Sequence, residues 1–187
     1  MDIPITRSIL LISLLLVLSL IGPSFARPNT NADSDDLVTN VCKKHENPGF
    51  CIDALKSDPR ANTDDLKVLA NISLELATFN ATGTKVKIHS LLLASRDPVL
   101  TDHLNKCADS YDIAVYYLGS AQESLKSGDY LDLQVLAAGA ADMASDCENT
   151  FKGPPPYPSP LSTDNSNTWL LGEITVVITN LLGVDGQ

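Results

Sequence analysis

Four cysteines, placed symmetrically about two predicted turns, constrain this chain more than any other feature. Cys42 and Cys51 flank a turn-forming Glu-Asn-Pro-Gly stretch, and Cys107 and Cys147 lie about equally far from a Ser-Gly-Asp break. Residues equidistant from the turn of an antiparallel helix pair face each other. Four cysteines allow three pairings, but only Cys42–Cys51 with Cys107–Cys147 joins each cysteine to the position opposite it. We therefore predict these two disulfides.

Zinc binding is the other common use of four cysteines. Zinc sites usually bring two ligands within a few residues of each other, as in C-x2-C, and this chain has no such pair. The three histidines, His45, His89 and His103, are scattered, without the spacing to a cysteine, histidine or carboxylate that a metal site needs. We expect no metal site, and surface or partly buried structural roles for the histidines.

The N-terminus offers a route to the oxidising compartment in which disulfides persist. Arg7 precedes an apolar run, and the small residues Ser24 and Ala26 follow at a spacing that suits cleavage. We predict a signal peptide at residues 1–26, because the apolar run is shorter than the roughly 20 residues of a membrane-spanning helix. The alternative is an uncleaved membrane anchor. Residues 27–187 then form a single domain.

The net charge of −10 restricts the choice of partner. Such a surface repels nucleic acid and polyanionic polysaccharide and favours a basic partner. Sequons at Asn71 and Asn80 predict N-glycosylation, which fits an exported protein. The apolar stretch from 169 to 182 is interrupted by Glu173 and Asn180. We predict a core helix there, and no membrane association after signal cleavage.

Apolar residues recur three and four positions apart, which is typical of helices that face a bundle interior. We predict a short helical hairpin at about 35–57 and four long helices at about 63–183. The first long helix has the predicted buried stripe Leu69, Ile72, Leu76, Phe79, Gly83, Val86, Ser90 and Leu93. The later stripes are Leu100, Leu104, Cys107, Tyr111, Ala114, Leu118, Ala121 and Leu125; then Leu133, Ala137, Ala140, Ala144, Cys147 and Phe151; then Leu170, Ile174, Val177, Leu181 and Val184.

No strand-like alternation competes with these patterns, so the predicted fold is all-α. It is an up-down four-helix bundle preceded by a short N-terminal helical hairpin, with two disulfides. Residues 152–168 carry five prolines and are too long for an ordinary bundle turn. We interpret them as a stiff crossover strap. A proline-rich ligand for another domain is the alternative.

Motifs that carry chemistry are missing from the sequence. There is no glycine-rich phosphate loop, nucleophile elbow or HExxH. All cysteines are assigned to disulfides, and no nucleophile is placed beside a base. We therefore predict a protein that is not an enzyme and has no cofactor. A catalytic dyad assembled from distant residues is the alternative.

The order of these features resembles the plant invertase and pectin methylesterase inhibitor family. The resemblance rests on the leader, the C-x8-C hairpin, a bundle bridged between its second and third helices, and the segments 147–153, 159–162 and 178–182. It covers essentially the whole mature chain. It implies a plant protein of the cell wall or the vacuole with no activity of its own, and we favour secretion to the extracellular space and cell wall over the vacuole. Such a protein binds a carbohydrate-active enzyme one-to-one and blocks its substrate cleft, with the hairpin projecting from the bundle.

The family divides by target at the turn before the third bundle helix. Inhibitors of invertase typically carry Pro-Lys-Phe after a Gly-Asp, whereas here Gly128-Asp129 is followed by Tyr130-Leu131-Asp132. The pectin methylesterase branch more often has Asp-Tyr in this position, and an acidic inhibitor suits a basic esterase. We favour pectin methylesterase, with a cell-wall or vacuolar acid invertase as the alternative. The chain also resembles a pollen-allergen subgroup whose members are labelled invertase inhibitors.

The predicted contact surface lies on the outward faces of the second and third bundle helices and at the turn between them. Tyrosine gives much contact area for little lost side-chain freedom, so tyrosines on this surface are candidate anchors. Tyr117, however, is expected to pack within the bundle. The predicted partner-binding residues are Tyr116, Ser127, Gly128, Asp129, Tyr130, Leu131 and Asp132. A secreted four-helix ligand or a small carrier of apolar ligands is a further alternative. The sequence assigns no oligomeric state.

Overall fold

The computed structural model describes residues 36–185, with side chains as far as Gly183. The predicted signal peptide, residues 1–26, lies outside this range. Residues 36–185 form helices and no strands. Each of two disulfides joins one pair of helices. The all-α prediction is confirmed.

A short helical hairpin comes first. Helix α1 (Leu37–Cys42) begins at Asp36, whose carboxylate accepts a hydrogen bond from the backbone nitrogen of Thr39 at 2.7 Å. Helix α2 (Pro48–Lys56) is capped by Asn47 in the same way. These short polar side chains satisfy amide groups that a helix start leaves unpaired. A 3₁₀ turn at 59–61 then leads into the bundle.

Four long helices form the bundle: α3 (Leu66–Ala94), α4 (Pro98–Ser127), α5 (Tyr130–Thr150) and α6 (Ser162–Asp185). Each packs against its neighbours in chain order, and α6 closes the ring against α3. The hairpin rests on α3 and α6. This is the predicted up-down arrangement, with α3 and α6 covered at one end by α1 and α2.

The buried faces of α4 and α5 follow the predicted stripes. In α5 every predicted position is buried, and in α4 Leu100 alone is only half-buried. Alanine fills three of the six predicted α5 positions. Because alanine is small, neighbouring helices can approach α5 closely.

The predicted stripe of α3 is wrong beyond Leu76. Phe79, Val86 and Leu93 are 82%, 62% and 86% exposed, and Gly83 and Ser90 are exposed as well. The prediction followed large apolar side chains such as Phe79, but small residues such as Ala77 and Ala81 face the interior beyond Leu76. The predicted stripe therefore diverges from the buried face of the helix. The residues that α3 buries are Leu69, Ala70, Ile72, Ser73, Leu74, Ala77, Ala81, Thr84 and Ile88.

Helix α6 departs from its predicted stripe in the same way. Val177 and Leu181 are only half-buried, whereas Ile178 and Leu182 are buried. The side chain of Val184 lies outside the described residues. No helix between residues 36 and 185 combines the length and the apolar character of a membrane span.

The proline-rich strap connects α5 to α6 and is shorter than predicted, because residues 162–168 already belong to α6. The backbone nitrogen of Tyr157 donates to the carbonyl oxygen of Phe151 at 2.9 Å. The ring of His103 in α4 places Nε2 3.1 Å from the carbonyl oxygen of Pro155. Ser159 donates to Glu148 of α5 at 2.9 Å. These bonds hold the strap against the bundle.

Candidate partner-binding surface

A disulfide joins the two helices that carry most of the predicted contact residues. Cys107 of α4 and Cys147 of α5 are bonded, with their Cα atoms 4.5 Å apart. Cys42 and Cys51 are bonded across the hairpin, with a Cα separation of 5.5 Å. All four side chains are buried. The pairing is the one that the turn symmetry predicts, and it fixes α4 and α5 relative to each other.

The turn between α4 and α5 is held by the polar residues at its ends. Gly128 closes α4 in the left-handed region, with φ 79°, which glycine adopts without steric cost. The carboxylate of Asp129 accepts from the backbone nitrogen of Asp132 at 3.0 Å. Ser124 donates its hydroxyl to Asp132 at 2.5 Å, and Ser127 donates to the carbonyl of Ser124. The predicted contact residues Ser127, Gly128, Asp129 and Asp132 are exposed, but they also build the turn.

Tyr130 is directed towards α3. It is half-buried and packs against the core, and the ammonium of Lys67 lies 5.7 Å from its ring centroid. The interaction with Tyr130 is the main cause that raises the pKa of Lys67. This arrangement is a cation–π contact. It occupies part of the Tyr130 ring, whose contact with a partner stays a prediction.

Four large apolar side chains on α4 and α5 are exposed, and we call this set the α4–α5 surface. Tyr116, Leu131 and Val135 are 69%, 75% and 61% exposed, and Ile113 is 41% exposed. Sequence reasoning named Tyr116 and Leu131 but missed the other two. The available signal was the α5 stripe, because a helix that buries Leu133 and Ala137 must turn positions 131 and 135 outward.

Tyr117 packs between the two helices, as predicted. A Cβ atom built on Gly139 would lie 3.0 Å from the Tyr117 ring, so glycine is needed there for this close contact. The ring of Tyr116 lies 6.1 Å from that of Tyr117, centroid to centroid, at a tilt of 48°. The exposed Tyr116 ring therefore lies beside the packed Tyr117 ring.

A second exposed apolar set lies on α3, where Phe79, Val86 and Leu93 follow each other at intervals of seven residues. Phe79 lines an open groove of about 790 Å³ between α3 and α4. This set has no counterpart in the predicted contact surface. Substitutions in this α3 set can therefore serve as controls for substitutions in the α4–α5 surface.

Both sequon asparagines lie in half-buried seams of α3. Asn71 donates to Glu75 at 2.6 Å and accepts from Gln122 of α4 at 2.7 Å. Asn80 accepts from the hydroxyl of Thr168 in α6 at 2.6 Å. Glycosylation of these residues stays a prediction.

A polar layer crosses the bundle interior. The buried Tyr111 hydroxyl donates to Asn165 at 2.8 Å, and Asn165 donates to Glu148 at 2.7 Å. Burial raises the pKa of Tyr111 to about 12. Burial alone would raise the pKa of Glu148, but hydrogen bonds from Asn165, Ser162 and Ser159 outweigh it, and the pKa lies below its usual value. Through Asn165, these hydrogen bonds join α6 to both α4 and α5.

The chemistry that this arrangement supports is recognition. Within residues 36–185 no group of three or more histidine, cysteine or acidic side chains is placed to hold a metal ion. A rigid, partly apolar surface on a crosslinked helix pair suits binding to another protein.

Comparisons with known proteins agree with this description. The sequence model described as "Plant invertase/pectin methylesterase inhibitor" matches residues 36–181. A protein named "Pectinesterase inhibitor" from Actinidia deliciosa is 39% identical over 175 residues, which cover 94% of each chain. A protein named "Cell wall / vacuolar inhibitor of fructosidase 2" from Arabidopsis thaliana is 34% identical over 66% of this chain and 69% of its own length.

The fold is also similar to solved structures. The crystal structure of a mutant form of a pectin methylesterase inhibitor from Arabidopsis superposes with a TM-score of 0.71 at 28% sequence identity. The match covers 77% of this chain and 95% of that structure. The helical architecture is therefore shared over almost the whole of that protein.

Proposed function

This chain belongs to the plant invertase/pectin methylesterase inhibitor family, and we propose that it inhibits a pectin methylesterase. In this proposal it binds the enzyme one-to-one and covers the substrate cleft with the α4–α5 surface. It has no catalytic role of its own. Proteins of this family are inhibitors of enzymes, which is consistent with the absence of catalytic motifs from the sequence.

One observation carries the choice of surface. Tyr116, Leu131 and Val135 are all more than half exposed, and they stand on two helices that a buried disulfide holds together. Binding costs less when the contact residues are already fixed in place. Tyrosine in such a position is typical of residues that dominate binding energy.

The choice of target rests on the turn and on charge. Where inhibitors of invertase typically have Pro-Lys-Phe, this chain has Tyr130, Leu131 and Asp132. None of these three positions carries a lysine, and Leu131, which is 75% exposed, is apolar. A net charge of −10 favours approach to a basic enzyme. The similarity to the Actinidia pectinesterase inhibitor, over nearly the whole chain, supports the same target.

An acid invertase is the second candidate target, and the similarity to the Arabidopsis inhibitor of fructosidase supports it. For either target we propose export to the extracellular space through the leader at 1–26, a single domain at 27–187, and glycans at Asn71 and Asn80. The vacuole is the less favoured destination.

A titration of the secreted protein against both enzymes tests the proposal. We expect esterase activity to fall linearly and to reach its end point at one inhibitor per enzyme, with acid invertase unaffected. Inhibition of invertase alone would contradict the esterase as target and identify acid invertase instead. No stoichiometric inhibition of either enzyme, at acidic or neutral pH, would overturn it.

Matched surface variants test the face that binds. The double variant Leu131→Asp/Val135→Asp should weaken inhibition of the esterase by about 30-fold or more, the effect of losing binding residues worth about 2 kcal/mol. The control Phe79→Asp/Leu93→Asp places the same charges on residues of α3 that are at least as exposed. It should inhibit like the unmodified protein, and the reverse pattern would contradict the proposed surface.

A further inference from the structure

The outer face of α3 carries a heptad repeat, which we call the α3 seam. It consists of Phe79, Gly83, Val86, Ser90 and Leu93, which follow each other at alternating intervals of four and three residues. All five are exposed. An average spacing of 3.5 residues is typical of a helix side that packs along another helix. Because the three apolar side chains are 62% to 86% exposed, no helix of residues 36–185 fills that place.

The α3 seam is complementary to itself when two copies of α3 run antiparallel. In the register that places Val86 of each copy opposite Gly83 of the other, Phe79 lies opposite Ser90. Each of these large side chains then meets a small residue, as packing of a knob into a hole requires. A Cβ atom built on Gly83 would have no neighbour within 4 Å, so the position has room for an incoming side chain. The pairing is isologous and therefore closes at two copies.

Charge does not oppose this pairing, although the whole protein has a net charge of −10. The stretch from residue 76 to residue 94 contains no acidic side chain. Its two lysines are each paired with a carboxylate of the same chain, Lys85 with Asp112 of α4 and Lys87 with Asp164 of α6, both at 2.6 Å. Two copies can therefore bring these faces together without placing unpaired like charges against each other.

The area of the α3 seam sets the strength of such a contact. The exposed parts of Phe79, Val86 and Leu93 present roughly 400 Å² of apolar surface, so two copies would bury roughly 800 Å² between these side chains. Stable interfaces bury about 1,200–2,000 Å² in total. Residues at the edges add to the smaller figure, but the seam stays in the range of weak, reversible association.

We propose that the α3 seam is a homodimer interface, in which the α3 helices of two copies pack antiparallel with Val86 opposite Gly83. The repeat favours a helix as the partner, and the match of large to small positions favours a second copy of this one. Leu131 and Val135 lie on α5, and α3 packs against α4 and α6. The dimer therefore leaves the enzyme-binding residues of α5 free, and each copy still binds one enzyme.

Sedimentation equilibrium of the secreted protein alone, from about 1 μM to roughly 1 mM, measures this association. We expect the mass to rise from one chain to two, with half of the protein dimeric between about 10 and 100 μM, as for an interface of this size. Phe79→Asp/Leu93→Asp should weaken dimerisation at least tenfold, whereas the matched control Leu131→Asp/Val135→Asp should dimerise like the unmodified protein. No enzyme is present, so the result is independent of whether the esterase is the target.

Three outcomes would overturn the homodimer. The first is a monomer at every concentration, and the second is assembly beyond two copies. The third is a dimer that the α5 variant abolishes and the α3 variant keeps. Protection of Phe79 and Leu93 by the bound esterase would assign the seam to that partner and would contradict the homodimer as well.

Paired charge variants test the register. Val86→Asp replaces the central apolar contact with two aspartates, and Gly83→Lys fills the space opposite Val86, so each variant alone should be monomeric at 100 μM, about the highest expected midpoint. An equimolar mixture should associate, because the aspartate of one copy then lies opposite the lysine of the other and one native Val86–Gly83 contact remains. A mixture that stays monomeric would refute the antiparallel register.

Discussion

The protein contains two antiparallel helix pairs that are each closed by a disulfide, and the two pairs differ in what else supports them. The α4–α5 pair joins helices of 30 and 21 residues through a bond that spans 40 positions. The α1–α2 pair joins helices of 6 and 9 residues through a bond that spans 9 positions. Short helices are marginally stable without tertiary packing.

The difference shows that a disulfide can restrict unfolding of the whole bundle or only of one small unit. The α4–α5 disulfide lies inside the common core, so it restricts the unfolding of the whole bundle. The α1–α2 disulfide restricts a small unit whose attachment depends on its few buried residues and on the His45 contact with α6. The exposed ion pair between Lys56 and Asp36 adds little, as surface pairs usually do.

Removing each disulfide should produce the largest change in stability of the variants proposed here. For Cys107→Ala/Cys147→Ala we expect a loss of about 4 kcal/mol in the free energy of unfolding, on the chain-entropy account of a loop of this length. For Cys42→Ala/Cys51→Ala we expect up to about 3 kcal/mol, confined to opening of the hairpin. Denaturant titration with site-resolved hydrogen exchange measures both. Loss of protection throughout α4 and α5 in the hairpin variant would refute the distinction.

Truncating one buried leucine in each pair sharpens the comparison. Leu118 of α4 and Leu55 of α2 are both almost completely buried. Leu118→Ala should cost about 3 kcal/mol of global stability through the cavity it leaves. Leu55→Ala should instead increase hydrogen exchange in the hairpin and change the global unfolding midpoint less. Similar shifts of that midpoint for the two variants would show that hairpin and bundle unfold as one unit.

The bundle interior should also respond to alkaline pH. Because Tyr111 has its pKa raised to about 12, its neutral form stabilises the bundle fully below pH 10, and this contribution is lost as pH rises towards 12. Tyr111→Phe should remove that alkaline loss of stability. It should also cost about 1–2 kcal/mol near neutral pH, since Asn165 loses its donor. Thermal unfolding from pH 7 to 11 measures both, and an unchanged alkaline profile would contradict the assignment.

Much of this fold could be predicted from local signals. Asp97-Pro98 starts α4 and Gly128 ends it, because a capping carboxylate, a proline in the first turn and a left-handed glycine each act within a few residues. The cysteine positions predicted which helices pair. The stripes of α4 and α5 were predictable because cysteines, alanines and leucines there share one face.

The remaining features depend on contacts that no local pattern encodes. Between Leu76 and Ile88 the buried residues of α3 are the small ones Ala77, Ala81 and Thr84, and no hydrophobic pattern in the sequence distinguishes them from exposed positions. The direction of Tyr130 depends on Lys67, which lies on another helix. The His45 contact joins positions 125 residues apart. Each is decided by packing of the whole bundle, which overrides local hydrophobic pattern.

Hydroxyl-radical footprinting of the inhibitor bound to pectin methylesterase tests the central claim most directly, because it reports side-chain exposure residue by residue. The crosslinked helix pair should present the binding surface. On complex formation Tyr116, Leu131 and Val135 should therefore become protected from oxidation, while Phe79 and Leu93 on α3 stay as reactive as in the free protein. Protection of the α3 residues with the α4–α5 surface left reactive would contradict the account.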